Sequence, residues 1–447
     1  MTTTTDITAG AGELVERKRR FLFPNLYHLY QQPPELVRGR GCRVWDRAGR
    51  SYLDCLAGVS VLAVGHCHPE VAAAVHRQVD ELWHTTTLFL TRPMIELAER
   101  LVGYAPASLT RAFFVASGSE AVEGAVLSAQ LATGRYELIA LDGGLHGRTK
   151  LGMSLTGLGF WRADAQPVGG IHHVPSPHCY RCPLKLSYPS CGIACADEVE
   201  RAVTARTSGE VAAFVAEPVQ GNGGVVVPPP EYFPRVREIL DRHGILLIAD
   251  EVQTGFGRTG RRFALEHWGV EPDLMAVAKA LGGGLPIGAF LAREEIAQAF
   301  DRPSASTWGG NPVSCAAAFA VLDVLDRERL VEKSAATGAH FLGRLRGLAE
   351  RRPEIGDVRG RFPDAASLAC LAGVAPSTRQ SGKHKAVTYR WAVNKELRDA
   401  VCDFAGDSRH DSLRAVGTVR FRLTIYCVRI ASNHSKTGRK RQRMSEM

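Results

Sequence analysis

Short apolar runs punctuate the middle of the chain at Leu138–Leu141, Val211–Ala216, Ile245–Ala249, Leu274–Ala278 and Ile287–Leu291. Runs of this length without alternation fit strands buried on both faces. Between them, Ser119–Gln130 and Glu231–His243 carry apolar residues at helical spacing. Strands alternating with helices predict an α/β fold with a mostly parallel sheet covered on both sides. From Asn311 to about Arg351 the pattern predicts two helices separated near Arg327–Arg329, the first of them strongly apolar (PVSCAAAFAVLDVL). There is no internal repeat. Beyond Gly360 the pattern does not continue, and the closing KTGRKRQRMSEM has the composition of a disordered end. Ligands of such sheets sit at the carboxyl ends of the strands, so the polar and glycine-rich residues that end the runs are the first candidates for chemistry.

With 447 residues, 45% of them apolar and 23% charged, the chain can bury a large core in two or more domains. No charge-free apolar run approaches the roughly 18 residues of a membrane helix, and the N-terminus lacks a signal-peptide core, so a cytoplasmic location and no membrane partner are expected. The formal charge of +9 would suggest a nucleic-acid partner. From Phe362 onward, however, 16 Lys and Arg face 7 Asp and Glu, which accounts for all of it, and residues 1–361 are neutral. Phosphate contacts from such a tail alone give weak, salt-sensitive association, which disfavours a DNA-binding reading of the whole chain.

Lys279 follows the run LMAVA and precedes ALGGGLPIG, where a buried strand gives way to a flexible turn. A partly desolvated lysine there is a nucleophilic amine toward an aldehyde; taken alone it also fits a snorkelling surface lysine. Asp250 ends ILLIAD before a glycine-rich loop, where a carboxylate can hold a protonated pyridine nitrogen. The amide of Gln253 can approach a ring oxygen, and an acidic helix cap with a turn explains the same segment. Gly118 and Ser119 in SGSEAVEGA offer backbone N–H groups to a phosphate at a helix start, or form a plain capped end. Thr307, in STWGGNP, adds a hydroxyl or belongs to a turn.

Taken together, AFFVASGSEAVEGA, TGRYELIALDGGLHGRT, AFVAEPVQGNGG, LLIADEVQTGFGRTG, EPDLMAVAKALGGGLPIG and STWGGNPVSCAA, with YLDCLAGVSVLAVGHCHPEV before them, resemble the class III aminotransferases over about Leu36 to Arg361. The resemblance implies a fold-type-I enzyme, usually a homodimer, with pyridoxal 5'-phosphate at the subunit interface. It implies that Lys279 joins the cofactor and shuttles the proton, Asp250 pairs with the pyridine nitrogen and Gln253 approaches the ring oxygen. Gly118 and Ser119 would hold the phosphate with Thr307 of the neighbouring subunit, and Glu217 would lie near the substrate end of the cleft. Residues 1–50 then form the N-terminal segment of the small domain, 51–310 the large cofactor-binding domain and 311–361 helices leading to a truncated small domain. The implied reaction moves an amino group from an amino acid or ω-amine to a 2-oxo acid, of alanine–glyoxylate or 4-aminobutyrate type. The alternative is a remnant that binds cofactor without turning over.

Two departures stand out. Leu145 in GGLHGRT takes the place of an aromatic residue that stacks on the cofactor, a loss of about 0.5–1.5 kcal/mol, while His146 beside it is kept. After RPEIGDVRGR the family's C-terminal strands, and the arginine among them that binds the substrate carboxylate, are missing. Residues from about 360 to 410 instead resemble the C-terminal domain of serine-dependent "one-ten" insertion-sequence transposases, with Ser381 in the place of the nucleophile. Residues 411–447 match neither pattern. An insertion element that replaced the 3′ end of an aminotransferase gene would produce this arrangement.

Eleven cysteines without a secretion signal argue for reduced thiols. Cys179, Cys182, Cys191 and Cys195 form C-x2-C-x8-C-x3-C. This is a candidate zinc or iron–sulfur set, or an irregular loop that needs no metal, and no metal is expected in catalysis.

Overall fold

Continuous apolar runs can be satisfied only where both faces of a strand are covered, and the computed structural model shows how this chain covers them. It describes residues 6–26 and 33–351. The transposase-like segment 362–410 and the tail 411–447 lie outside the described residues. Near the N-terminus, β1 (Leu36–Arg40), β2 (Arg43–Asp46) and β3 (Ser51–Leu53) form a small antiparallel sheet that runs just past the boundary expected at residue 50. The main sheet contains β4 (Arg111–Val115), β5 (Glu137–Leu141), β6 (Ile171–Val174), β7 (Val211–Ala216), β8 (Leu246–Asp250), β9 (Leu274–Val277) and β10 (Gly288–Ala292). Their order across the sheet is β4-β10-β9-β8-β7-β5-β6.

β6, β5, β7, β8 and β9 are parallel neighbours, and every residue of β5, β7, β9 and β10 is buried. β10 runs antiparallel to both β9 and β4. Only residues 278–287 separate β9 from β10, fewer than the dozen or so that a parallel crossover needs. The chain therefore doubles back, and Lys279 stands in the turn. Because β4 and β9 are both antiparallel to β10, β4 also ends on the edge where the parallel strands end.

Period-2 alternation splits the core into two layers. Along β5, Leu138 and Ala140 face one layer, whereas Ile139 and Leu141 face the other; along β7, Ala213 and Val215 oppose Phe214 and Ala216. The helix Gly118–Thr133 covers the first layer against β9 and β10, close enough that a Cβ on Gly124 would lie 2.3 Å from the Phe290 ring. On the other face, Pro312–Arg327 packs on Pro69–Glu81 and Arg92–Tyr104. Each fully buried Leu, Ile, Val or Phe in these layers contributes about 1.5–3 kcal/mol. The two helices expected after Asn311 form as Pro312–Arg327 and Leu330–Arg351. Among the described residues no helix is long and apolar enough to cross a membrane.

Two strands of the main sheet escape the sequence pattern, and both lie at its edges. β6 reads IHHV: His173 hydrogen-bonds to the Leu155 carbonyl at 3.0 Å and His172 to Glu137 at 3.2 Å, so two polar rings interrupt its apolar run. β4 begins exposed at Arg111 and is buried only at Phe114 and Val115.

The buried Asp273, just before β9, ties three elements together. It accepts hydrogen bonds from Arg237 Nη1 at 2.7 Å, Arg293 Nη1 at 2.8 Å and the Leu247 N–H at 2.8 Å. The carboxylate is buried while the two arginines reach solvent, so removing it costs the fold chiefly the partner of the buried Leu247 N–H. Asp273→Ala is expected to lower unfolding stability by about 1–3 kcal/mol in a denaturant titration.

Candidate active site

The loops that leave the carboxyl ends of β4, β5, β7, β8 and β9 converge on one cavity of about 440 Å³. β4 delivers Ser117, Gly118 and Ser119, and β5 delivers Leu145, His146, Gly147 and Arg148. Glu217 comes from the end of β7, Asp250, Val252 and Gln253 from β8, and Ala278 and Lys279 from β9. Of the residues singled out from sequence, Gly118, Ser119, Leu145, His146, Glu217, Asp250, Gln253 and Lys279 line this cavity, Thr307 and the four cysteines do not, and Ser381 lies outside the described residues. Thr307 is exposed and lies elsewhere on the surface.

The helix start at Gly118 is made by reciprocal bonds: Ser117 Oγ accepts from the Glu120 N–H at 3.3 Å, and Glu120 Oε2 accepts from the Ala116 N–H at 2.7 Å. This capped start leaves the dipole's positive end facing the cavity. A Cβ on Gly118 would lie 2.8 Å from Val252 Cγ1, so only glycine lets the helix end approach this closely. Ser119 Oγ accepts from the Arg148 N–H at 3.1 Å and so joins the β4 and β5 loops.

Asp250 is buried and bonds through Oδ2 to His146 Nδ1 at 2.8 Å, with His146 buried behind it. Burial alone would push the imidazole pKa down, but the hydrogen bond and charge of Asp250 outweigh it and hold the pKa above its usual value. Glu217 accepts from the Leu145 N–H at 2.8 Å and the Gly221 N–H at 3.1 Å. Burial pushes its carboxyl up to about 7; His146 pulls the other way and Asp250 adds to the rise. The Gln253 side-chain N–H2 group is buried without a hydrogen-bond partner, although Asn222 donates to the Gln253 oxygen at 3.5 Å. Lys279 sits at φ 41°, a strained backbone conformation for a side-chain-bearing residue.

Comparisons with known proteins cover the stretch of chain that builds this cavity. Residues 30–363 match the model described as aminotransferase class-III. The chain belongs to the class III aminotransferases. An acetylornithine aminotransferase of Methanothermobacter thermautotrophicus is 43% identical over 350 residues, 78% of this chain and 83% of that protein. An Arabidopsis thaliana protein described as alanine–glyoxylate aminotransferase 2 homolog 2, mitochondrial, is 37% identical over 352 residues, 78% of this chain and 73% of that protein. A solved (S)-enantioselective omega-transaminase from Thermomicrobium roseum is 37% identical with a TM-score of 0.72, covering 77% of this chain and 81% of that one. Residues 349–415 match the transposase IS116/IS110/IS902 family.

In this aminotransferase Arg148 is the charged cavity residue that sequence reading passed over, although it stands in the same GGLHGRT segment as Leu145 and His146. Its side chain is exposed at the cavity wall. Leu145 lines the cavity without offering an aromatic face.

Cys179, Cys182 and Cys191 of the loop before helix Ala194–Arg206, and Cys195 in its first turn, line a separate cavity of about 20 Å³. None is in a disulfide, and burial together with the neighbouring thiols of Cys179, Cys191 and Cys182 pushes the Cys195 thiol up to about 12. Among the described residues no three His, Cys, Asp or Glu side chains stand where they could share a metal ion.

Beside the site, the fully buried Glu251 is held by Thr254 Oγ1 and by the Leu265 N–H at 2.9 Å, and burial raises its carboxyl from 4.5 to about 7. A carboxyl whose pKa is raised on folding stabilises the fold while protonated, and that contribution is lost as pH rises from about 4.5 through about 7. Glu251→Gln keeps an acceptor for Leu265 and gains a donor for Thr254. Thermal unfolding between pH 5 and 8 is expected to show a flatter pH profile in the variant than in the wild type.

Proposed function

We propose that this aminotransferase binds pyridoxal phosphate in the 440 Å³ cavity and moves an amino group from a carboxylate-bearing donor to a 2-oxo acid. The observation that carries this reading is a lysine amine, a buried histidine-backed carboxylate and a helix N-terminus converging on one cavity, with an unpaired buried amide beside them. The residues fit the cofactor: Asp250 suits its pyridine nitrogen, the unsatisfied Gln253 amide its ring oxygen, and the Gly118 and Ser119 N–H groups its phosphate. When bound, pyridoxal phosphate supplies an aldehyde that takes up the amino group and a ring that accepts the electrons released at the donor carbon.

Each residue then has a definite task. Asp250 keeps a proton on the pyridine nitrogen, and His146 spares that carboxylate the cost of standing unpaired in a dry site. Lys279 Nζ would hold the cofactor covalently at rest and, once the donor amine has displaced it, would be the free amine that carries the proton from the donor carbon and returns it. Arg148 offers a guanidinium to the donor carboxylate, the contact that the missing C-terminal arginine provides in the family pattern. Donors of alanine, 4-aminobutyrate or acetylornithine type all carry that carboxylate, so Arg148 defines a class of donor and leaves the member open.

The surface supports a homodimer. Trp83, Leu88, Phe89, Leu90 and Trp308 are exposed, and the Trp308 ring meets His84 with centroids 4.8 Å apart. An apolar surface of this kind is typical of an interface, and the exposed Thr307 next to Trp308 would then serve a partner's phosphate site.

Borohydride treatment of the cofactor-loaded protein, followed by mass spectrometry, is expected to place a pyridoxyl group on the Lys279 peptide. Absence of the group overturns the reading, and Lys279→Ala should abolish the label. Addition of amino donor should bleach the visible band; a band that persists with every donor would favour the remnant that binds without turnover. Arg148→Ala is expected to raise the donor KM tenfold or more with a smaller change in kcat, because it removes a charge-assisted contact of about 1.5–3 kcal/mol made in ground and transition states alike.

A further inference from the structure

Two loops flank the inner end of the cavity and neither carries regular secondary structure. One leaves β5 and holds Leu145 and His146; the other leaves β7 and holds Gln220 and Gly221. Glu217 opens the second loop and divides its carboxylate: one oxygen reaches across to the Leu145 N–H at 2.8 Å, the other takes the Gly221 N–H of its own loop at 3.1 Å. A second link, from Gln220 Nε2 to the Asp142 carbonyl at 3.0 Å, lies at the root of the β5 loop. Gly221 presses on the next residue of the site, since a Cβ there would lie 2.5 Å from Gln253 Nε2. One buried carboxylate thus connects the wall bearing Leu145 with the backbone against which Gln253 is packed.

We propose that Glu217 is a positioning residue that fastens these two loops around the cofactor ring, and that its ionisation sets how firmly they are held. The inference rests on pyridoxal phosphate occupying the cavity. Ionised, the carboxylate accepts both N–H groups. Protonated, it has gained a donor where both neighbours are donors, so one of the two bonds is lost. The charged groups that face it are His146 and Asp250 on the sheet side, with Lys279 and Arg148 elsewhere on the cavity wall. With its carboxyl raised to about 7 by burial, the change falls between pH 6 and pH 8. The fastening matters more because Leu145 brings no aromatic ring to hold the cofactor face.

Glu217→Gln imitates the protonated state, with one acceptor kept and an N–H2 group facing the second backbone N–H. Pyridoxal phosphate titrated into wild-type and variant apoprotein, followed by absorbance, is expected to bind equally at pH 6 and about tenfold more weakly to the variant at pH 8. The circular dichroism of the wild-type cofactor band should change over the same interval, with the variant showing the pH 6 form throughout. A purely structural role would weaken the variant equally at both pH values, and that result, or identical profiles, overturns the inference. Failure of the wild type to form a cofactor band at all would overturn the proposed function and this inference with it.

Discussion

A carboxylate in a dry cavity is unstable alone, and the site of this protein is arranged around that constraint. Asp250 has to remain charged to hold a pyridine proton, yet it lies almost wholly out of water. The imidazole of His146 at 2.8 Å answers the charge. Placing that imidazole requires the β5 loop to fold under the end of β8, where the His146 N–H donates to Thr156 Oγ1 at 3.0 Å. Even the small residues beside it follow, since a Cβ on Gly144 would lie 2.7 Å from His146 Nε2.

The same arrangement collects carboxyl groups where water cannot reach them. Glu217 and Glu251 each sit at or next to the end of a parallel strand, each is satisfied chiefly by backbone and hydroxyl donors, and each has its carboxyl raised to about 7. Strand ends are where the sheet's unpaired backbone groups meet the loops, so they can supply donors without supplying countercharge. Acids that change charge near neutrality are the result, standing beside Asp250 with its basic partner His146.

The tight return between β9 and β10 places the reactive amine. Ten residues cannot carry a parallel crossover, so the chain turns through a short helical segment, Lys279–Gly282, into glycine-rich backbone. The strained φ of Lys279 is maintained by fully buried strands on both sides of the turn. Strain, glycine content and strand burial are parts of one solution to bringing a lysine next to Asp250.

Much of this was legible in the order of residues. Uninterrupted apolar runs located β5, β7, β8, β9 and β10 to within a residue or so, because strands buried on both faces must be apolar throughout. Lys279, Asp250 and Gly118 could be singled out because reactive groups follow strand ends in such sheets. Other features depend on partners distant in sequence. The edge strands β4 and β6 need neighbours to justify their polar residues, and Arg148 became a site residue only when its loop was folded against Ser119. Glu217 acquired its role from N–H groups at positions 145 and 221, and the four cysteines, suggestive by spacing, gather around a cavity without taking up a ligand arrangement. Local pattern determined which segments must be buried; which polar groups face one another was settled by the packing of loops, where each hydrogen bond depends on two stretches of chain at once.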